Sequence, residues 1–429
     1  MSGAGFDRSE ARAQALDVED RLRELRTRFH VPHAVDGTAR AYLCGNSLGL
    51  EPVAAAEGIQ RELDDWARLG VEAHFDAASP WYTYHERLRE PLARLVGARP
   101  SEVVAMNSLT VNLHLMLVSF FRPEPGRHRV LIEENAFPSD RYAVESHLRL
   151  HGYDPAAGLI VAAARPGSAA LRTVDLEEQL DREGERIALV LLGAVNYFTG
   201  QWFDTTRIAA TARRNGCVVG LDLAHAIGNV PLTLHDEGID FAVWCSYKYL
   251  NGGPGAPGGC FIHERYHDDT ERPRLAGWWG NDPSTRFRMH AERSFVPVRS
   301  ADGWQVSNPS ILALAPLASS LGVFDDVGMP ALRAKSERLT EYAASWVEHA
   351  ANGRIEILTP LVPCARGCQL SLRPDEGAIE LARSLRDAGV IGDYREPGVI
   401  RVAPVPSYNT FHDVWRFGRA VERWAAESR

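Results

Sequence analysis

The chain is 429 residues long, 45% hydrophobic and 24% charged, with a formal net charge of −9. That length exceeds a single small core and predicts two closely packed domains. The acidic balance argues against nucleic acid or an anionic membrane as partner, no apolar run approaches the roughly 18 residues of a membrane span, and residues 1–10 hold no signal-peptide core.

Residues 8–29 carry the charged, amphipathic pattern of an N-terminal helix. Residues 42–49 read as a strand end breaking into a Gly/Asn turn. Helices are predicted over 53–69, 81–96 and 109–121. From there short apolar strands at 130–132, 159–161, 189–192, 218–221, 241–244 and 260–262 alternate with helices, the pattern of an α/β domain with a largely parallel sheet. Beyond about residue 311 the order changes. A long helix runs through 335–346, followed by strands near 355–358 and 369–372, a helix at 378–387, a strand at 399–403 and a closing helix at 411–426. The expected division is an N-terminal helix and arm (1–50), a large α/β domain (51–310) and a small α+β domain (311–429). Six scattered cysteines form no disulfide framework and suit a reducing cytoplasm.

Only two lysines, Lys248 and Lys335, stand against 45 arginines. Arginine stays protonated and makes no Schiff base, whereas a desolvated lysine amine does. Lys248 lies in Cys245-Ser246-Tyr247-Lys248-Tyr249-Leu250-Asn251, 26 positions after Asp222 in Val219-Gly220-Leu221-Asp222-Leu223-Ala224-His225. Both sit at or just past the carboxyl ends of predicted strands, where open α/β sheets bind ligands. An acid and a lysine so placed point to pyridoxal 5'-phosphate: the carboxylate holds the pyridinium nitrogen and the lysine the aldehyde. His225 is read as a hydrogen-bonding partner of cofactor or substrate. Lys335 is expected on a solvated, charged helix face.

A phosphate site is expected where Asn107-Ser108-Leu109-Thr110 opens an apolar helix, although an ordinary N-cap fits the same segment. The loop Phe137-Pro138-Ser139-Asp140 follows a predicted strand and offers an aromatic face to a cofactor ring. Gly253 to Gly258 matches G-x-G-x-x-G, but its two prolines and the strand that follows leave only a return loop. Asp222-x-x-His225 lacks a third ligand and Cys364/Cys368 lack a paired set, so no metal site is expected.

Taken together, LCGNSLGL (43–50), LTVNLH (109–114), FPSD (137–140), DLAH (222–225), WCSYKYLN (244–251), STRF (284–287), VSNP (306–309) and IRVAP (400–404) closely resemble the kynureninase family of fold type I pyridoxal phosphate enzymes. The resemblance runs over nearly the whole chain. It implies a large domain with a mainly parallel seven-stranded sheet, a smaller C-terminal domain, and hydrolysis of L-kynurenine or its 3-hydroxy derivative to anthranilate or 3-hydroxyanthranilate and L-alanine, in tryptophan catabolism and NAD biosynthesis. It implies Lys248 as the Schiff-base lysine, Asp222 on the ring nitrogen, and Phe137 stacked on the ring. Leu109, Thr110, Pro138, Ser139, Asp140 and His225 line the cofactor, and Tyr247 binds the phosphate and serves as general acid. Arg401 clamps the substrate α-carboxylate, a task for its planar fork. His74, Ser307 and Asn308 face the aromatic end of the substrate. A homodimer with shared active sites is implied, with Trp278 and Asn308 reaching in from the other subunit. Gly193 departs from the Ser or Thr common in the family, and Trp279 from its Phe.

Two rival readings stay open at this point. One is a cysteine desulfurase or class V aminotransferase on the same fold, with Cys364 or Cys368 as candidate nucleophile. The other is a cofactor-binding regulator, for which the acidic chain shows no DNA-binding module.

Overall fold

In the strand Ile187–Gly193 every residue but the last is buried, as expected for a central strand covered on both faces. Around it a computed structural model, which describes residues 6–292 and 294–427, arranges a seven-stranded sheet. The spatial order is Val103–Ala105, Gly259–Ile262, Phe241–Trp244, Val218–Asp222, Ile187–Gly193, Arg129–Glu133, Leu159–Ala162. The five strands from Phe241–Trp244 to Leu159–Ala162 are parallel, and Gly259–Ile262 runs against both its neighbours. The chain leaves Arg129–Glu133 toward one edge and continues from Ile187–Gly193 toward the other. Those two strands therefore flank the topological switch point, where doubly wound sheets open a crevice at their carboxyl ends.

A second sheet, antiparallel and four-stranded, has the order Asp393–Arg395, Val399–Val402, Leu370–Pro374, Ile355–Ile357. The helices Met329–Ala350, Ala378–Asp387 and Phe411–Glu427 share its core, with Trp346, Phe417 and Trp424 buried between them. The pair Ala41–Tyr42 adds the N-terminal arm by running parallel to Val390–Ile391. The helix Ile311–Val327 contributes Leu314, Leu317, Leu321 and Phe324 to the core of the larger sheet instead. We propose that the division between domains follows these cores, with the break at Gly328 rather than before Ile311.

Two sequence expectations are corrected. The N-terminal helix spans only Glu10–Glu19, because Asp20 turns the chain and a 3-10 segment, Arg23–Arg28, follows. Lys335 is not solvated: it is 4% exposed, and its Nζ lies 2.8 Å from Asp20. The charged residues around it gave the helix a polar look, yet the N-terminal arm packs over that face. Asp17 in turn accepts the backbone N–H groups of Phe411 (2.6 Å) and His412 (3.0 Å), anchoring the arm on the start of the last helix.

Candidate active site

The last residues of four adjacent parallel strands are Glu133, Gly193, Asp222 and Trp244, and Lys248, His225, Tyr247, Phe137 and Asp140 gather there. Lys248 follows the strand Phe241–Trp244, and its Nζ lies 3.0 Å from His225 Nε2 and 5.8 Å from the centre of the Phe137 ring. Among the described residues no carboxylate pairs with this amine. His225 is buried, and burial, followed by the Lys248 and Arg401 charges, holds its imidazole well below the usual histidine range, so it stays neutral. Tyr247 is half-buried with its phenol pushed up, by burial first, so it keeps its proton through the neutral range. The loop that carries Lys248 is seated by Gly49, whose N–H donates to the Tyr247 carbonyl (2.8 Å). A side chain at 49 would meet the Lys248 carbonyl at 2.3 Å, which explains why the predicted turn at 42–49 needs glycine there.

Beneath the amine lies an acidic floor. Asp222 Oδ1 accepts the Ala224 N–H at 2.6 Å. Asp140 is 4% exposed and one of its oxygens has no partner. Burial, and then the neighbouring Asp222 charge, hold its carboxyl well above the usual range. Glu133 is also buried and is pushed up to about 7, mainly by burial. Thr110 and Ser139 set their hydroxyls 3.0 Å apart at the start of the helix Leu109–Phe120, whose Ser108 N-cap makes no side-chain bond to the first turn. Among the described residues no side chain caps its leading N–H groups, which suits an anion there. A buried acid pair with a spare oxygen, an open amine, the exposed phenyl face of Phe137 and an anion site at a helix start together fit pyridoxal phosphate: cationic ring nitrogen, aldehyde, ring face and phosphate.

Arg401 is 1% exposed. It donates to the Tyr197 carbonyl (2.7 Å) and pairs with Asp393, which also pairs with Arg395. Among the described residues no hydrogen bond or ring contact joins His74, Ser307, Asn308 or Trp278 to Lys248. His74 and Asn308 line a cleft of about 450 Å³ with Trp66 and Trp81. Trp278 joins an aromatic cluster with Trp279 and Phe287, in which Trp279 is buried beneath the Arg286 guanidinium. Cys368 is wholly buried with its thiol pushed up to about 12 by burial, and Cys364 is exposed.

Sequence reasoning passed over Glu133, Asn196, Tyr197 and Asp393. Glu133 carried the same signal as Asp222, an acid ending an apolar run. Tyr197 acts through its carbonyl and leaves no side-chain signature. Asp393 faces Arg401 only through antiparallel register. A separate group, Glu102, His235 and His263, gathers at the other end of the sheet. There the Glu102 carboxylate already accepts N–H groups of Arg99 and Glu264, both at 2.8 Å, and faces the His235 ring at 2.9 Å, which brackets the edge strands.

Residues 332–421 match the family model for the kynureninase C-terminal domain, and residues 41–360 that for class V aminotransferases. A kynureninase of Koribacter versatilis is 51% identical, covering 99% of both chains. One of Xanthomonas oryzae pv. oryzae is 54% identical over 97% of this chain and 99% of its own, and one of Myxococcus xanthus 53% over 98% and 99%. Among solved structures, the cysteine desulfurase CsdA of Escherichia coli superposes with a TM-score of 0.77 at 18% identity, covering 95% of this chain and 98% of that one. The cystine C-S lyase C-DES, in complex with cysteine persulfide, gives 0.75 at 18% identity over 90% and 97%. These two likenesses establish the fold alone.

Proposed function

The chain belongs to the kynureninase family, on the class V, fold type I architecture, and from that premise we propose a division of labour among its residues. The enzyme uses pyridoxal phosphate to hydrolyse L-kynurenine, its 3-hydroxy derivative or both, adding water across the Cβ–Cγ bond to release an anthranilate and L-alanine. The observation that carries this is identity of 51–54% to kynureninases over nearly the full length of both chains. A desulfurase is disfavoured further by Cys368, whose buried thiol yields no thiolate near neutral pH.

Held at the strand ends, pyridoxal phosphate would supply an aldehyde reactive toward amines and a conjugated ring that can take up electrons. Lys248 would hold that aldehyde, and its amine is the base for the Cα proton. Asp222, with Asp140 as its neighbour, would hold the ring nitrogen, and Phe137 would offer its ring to the cofactor. Thr110, Ser139 and the first turn of the helix Leu109–Phe120 would hold the phosphate. Tyr247, kept protonated by its burial, delivers a proton to the β-carbon. The neutral His225 ring orients the Lys248 amine without adding a competing charge. Arg401 fixes the α-carboxylate and so sets which Cα bond faces the lysine.

His74, Ser307, Asn308 and Trp278 act in a homodimer in which each chain completes the other's site. Exposed apolar side chains around their cleft support this: Val71, Trp66, Phe287 and Phe75 are each more than half exposed. We place the enzyme in the cytoplasm and in kynurenine breakdown, a setting that suits its six unpaired thiols. The test is purified protein with L-kynurenine and then 3-hydroxy-L-kynurenine, following anthranilate-type fluorescence and alanine. Lys248→Ala is expected to lose both turnover and the visible absorbance of the bound cofactor; full activity in that variant would sink the assignment.

A further inference from the structure

Asn196 occupies the topological switch point between the strands Arg129–Glu133 and Ile187–Gly193, and its side chain is 2% exposed. Its amide nitrogen donates to the Asn135 carbonyl (3.2 Å) and faces the Glu134 carbonyl and Glu133 Oε1, both at 3.5 Å. Its amide oxygen accepts the N–H groups of Phe198 (3.0 Å) and Thr199 (2.9 Å) and the Thr199 hydroxyl (3.1 Å). Glu133 completes the pair by accepting the Gly193 N–H at 3.1 Å. One side chain thus ties together two loops. The first, Asn135 to Asp140, carries Phe137 and Asp140. The second, Asn196 to Gly200, presents its carbonyls to the small domain.

Those carbonyls are the landing points of that domain. Arg401 and Gln369 both donate to the Tyr197 carbonyl (2.7 and 3.0 Å), Ser371 to that of Phe198 (2.5 Å), and Thr359 to that of Thr199 (2.5 Å). The Tyr197 ring meets Phe137 edge to face at 5.2 Å. The path from the cofactor-facing loop to the Arg401 guanidinium is therefore short, buried and made of directional bonds.

We propose that Asn196 and Glu133 form a positioning pair that sets the distance and angle between the cofactor ring and the Arg401 guanidinium. The proposal rests on the reading of Arg401 as the α-carboxylate clamp. Neither residue touches the reacting atoms. Their effect is on geometry, where a displacement on the order of 1 Å costs as much as a hundredfold.

The test is Asn196→Ala, scored by Tm, by KM and kcat for L-kynurenine, and by two binding readouts. These are the Kd of the product L-alanine, followed through the bound cofactor's absorbance, and the Kd of the apo-protein for pyridoxal phosphate. Expected are a rise of about tenfold or more in KM and in the L-alanine Kd, a smaller fall in kcat, and a weaker hold on pyridoxal phosphate. Combined with Arg401→Lys, the loss of L-alanine binding should be smaller than the product of the two single losses, since one change acts through the other. Multiplicative losses, or a KM within about twofold of wild type at unchanged Tm, would overturn the pair. If Arg401→Lys alone leaves L-alanine binding intact, the clamp reading fails, a result separate from the first. Should Asn196→Ala not fold, Glu133→Ala against Glu133→Gln decides: Gln keeps an acceptor for both N–H groups and should restore the L-alanine Kd that Ala loses. Equal values for Ala and Gln would overturn the proposal.

Discussion

The two lysines are placed by opposite rules. Lys335 is 4% exposed and bound to Asp20 at 2.8 Å, with the Asp17 charge also favouring its cation. Lys248 is only half-buried and has a neutral imidazole at 3.0 Å instead of a carboxylate. A buried amine with a matched charge is locked, because moving it strands the partner. An amine whose hydrogen-bond partner is a neutral ring strands no charge when it moves. Depth of burial and a directly paired carboxylate therefore mark the structural lysine here; partial exposure and a neutral ring as hydrogen-bond partner mark the chemical one.

Exchanging functions between the two should be impossible, and substitution makes that measurable. Lys248→Ala is expected to cut turnover on the order of 10⁴-fold or more while leaving the apo-protein's Tm near wild type. Lys335→Met should do the reverse. Stranding Asp20 at 5% exposure costs about 3 kcal/mol in urea unfolding, with kcat of the folded fraction unchanged. Adding Asp20→Asn, which keeps an oxygen for the Leu22 N–H that Asp20 accepts at 3.0 Å, should recover more than half of that loss. A Lys335→Met enzyme that folds normally but turns over slowly would break the comparison.

Glu133 sharpens the same contrast through pH. Its carboxyl is raised from 4.5 to about 7, first by burial, with the Asp222 charge adding. A folded value above the unfolded one means that the folded apo-protein holds the proton more tightly. That contribution is complete below about pH 4.5 and fades as pH rises through about 7. Glu133→Gln cannot ionise, so it should gain on wild type as pH climbs, by roughly 3 kcal/mol near pH 8. Urea melts of the apo-protein near pH 5 and near pH 8 read this directly; a gap that does not widen with pH would remove the electrostatic origin of the shift.

Much of the larger domain was legible because its signals are local. The strand cores at 130–132, 189–192, 218–221 and 241–244 each lie inside an observed strand, and Asp222 and Lys248 follow from their places at strand ends. What escaped depends on register and on backbone atoms. The short strand Val103–Ala105 has no period to read in three residues. Asp393 meets Arg401 only because Asp393–Arg395 pairs antiparallel with Val399–Val402. Burial of Lys335 depends on an arm more than 300 residues away in sequence, which no window around the lysine contains. The segment 81–96, read as one helix, begins as the 3-10 stretch Trp81–Leu88 before turning α-helical.

The smallest expected effect falls at Gly193, which reads from sequence as a departure from a hydroxyl side chain. A Cβ there would sit 3.0 Å from Glu133 Oε1 and 3.4 Å from the Val195 carbonyl oxygen. The first contact is tight, but it meets the end of a side chain that can yield by a few tenths of an ångström. A serine hydroxyl at that distance can donate to the same carboxyl, which is raised and short of strong donors: the Gly193 N–H at 3.1 Å and the Asn196 amide at 3.5 Å. A hydrogen bond to a charged acceptor is worth about 1.5–3 kcal/mol, and the crowding takes back a comparable amount. Gly193→Ser should therefore change stability by less than about 1 kcal/mol at neutral pH. It should also draw the Glu133 carboxyl downward, so that the stability gap opened by Glu133→Gln, measured again in the Gly193→Ser background, narrows at high pH. An unchanged gap would mean that the new hydroxyl turns away from Glu133, and that the strand-end acids, unlike the Lys335 network, accept new donors without registering them.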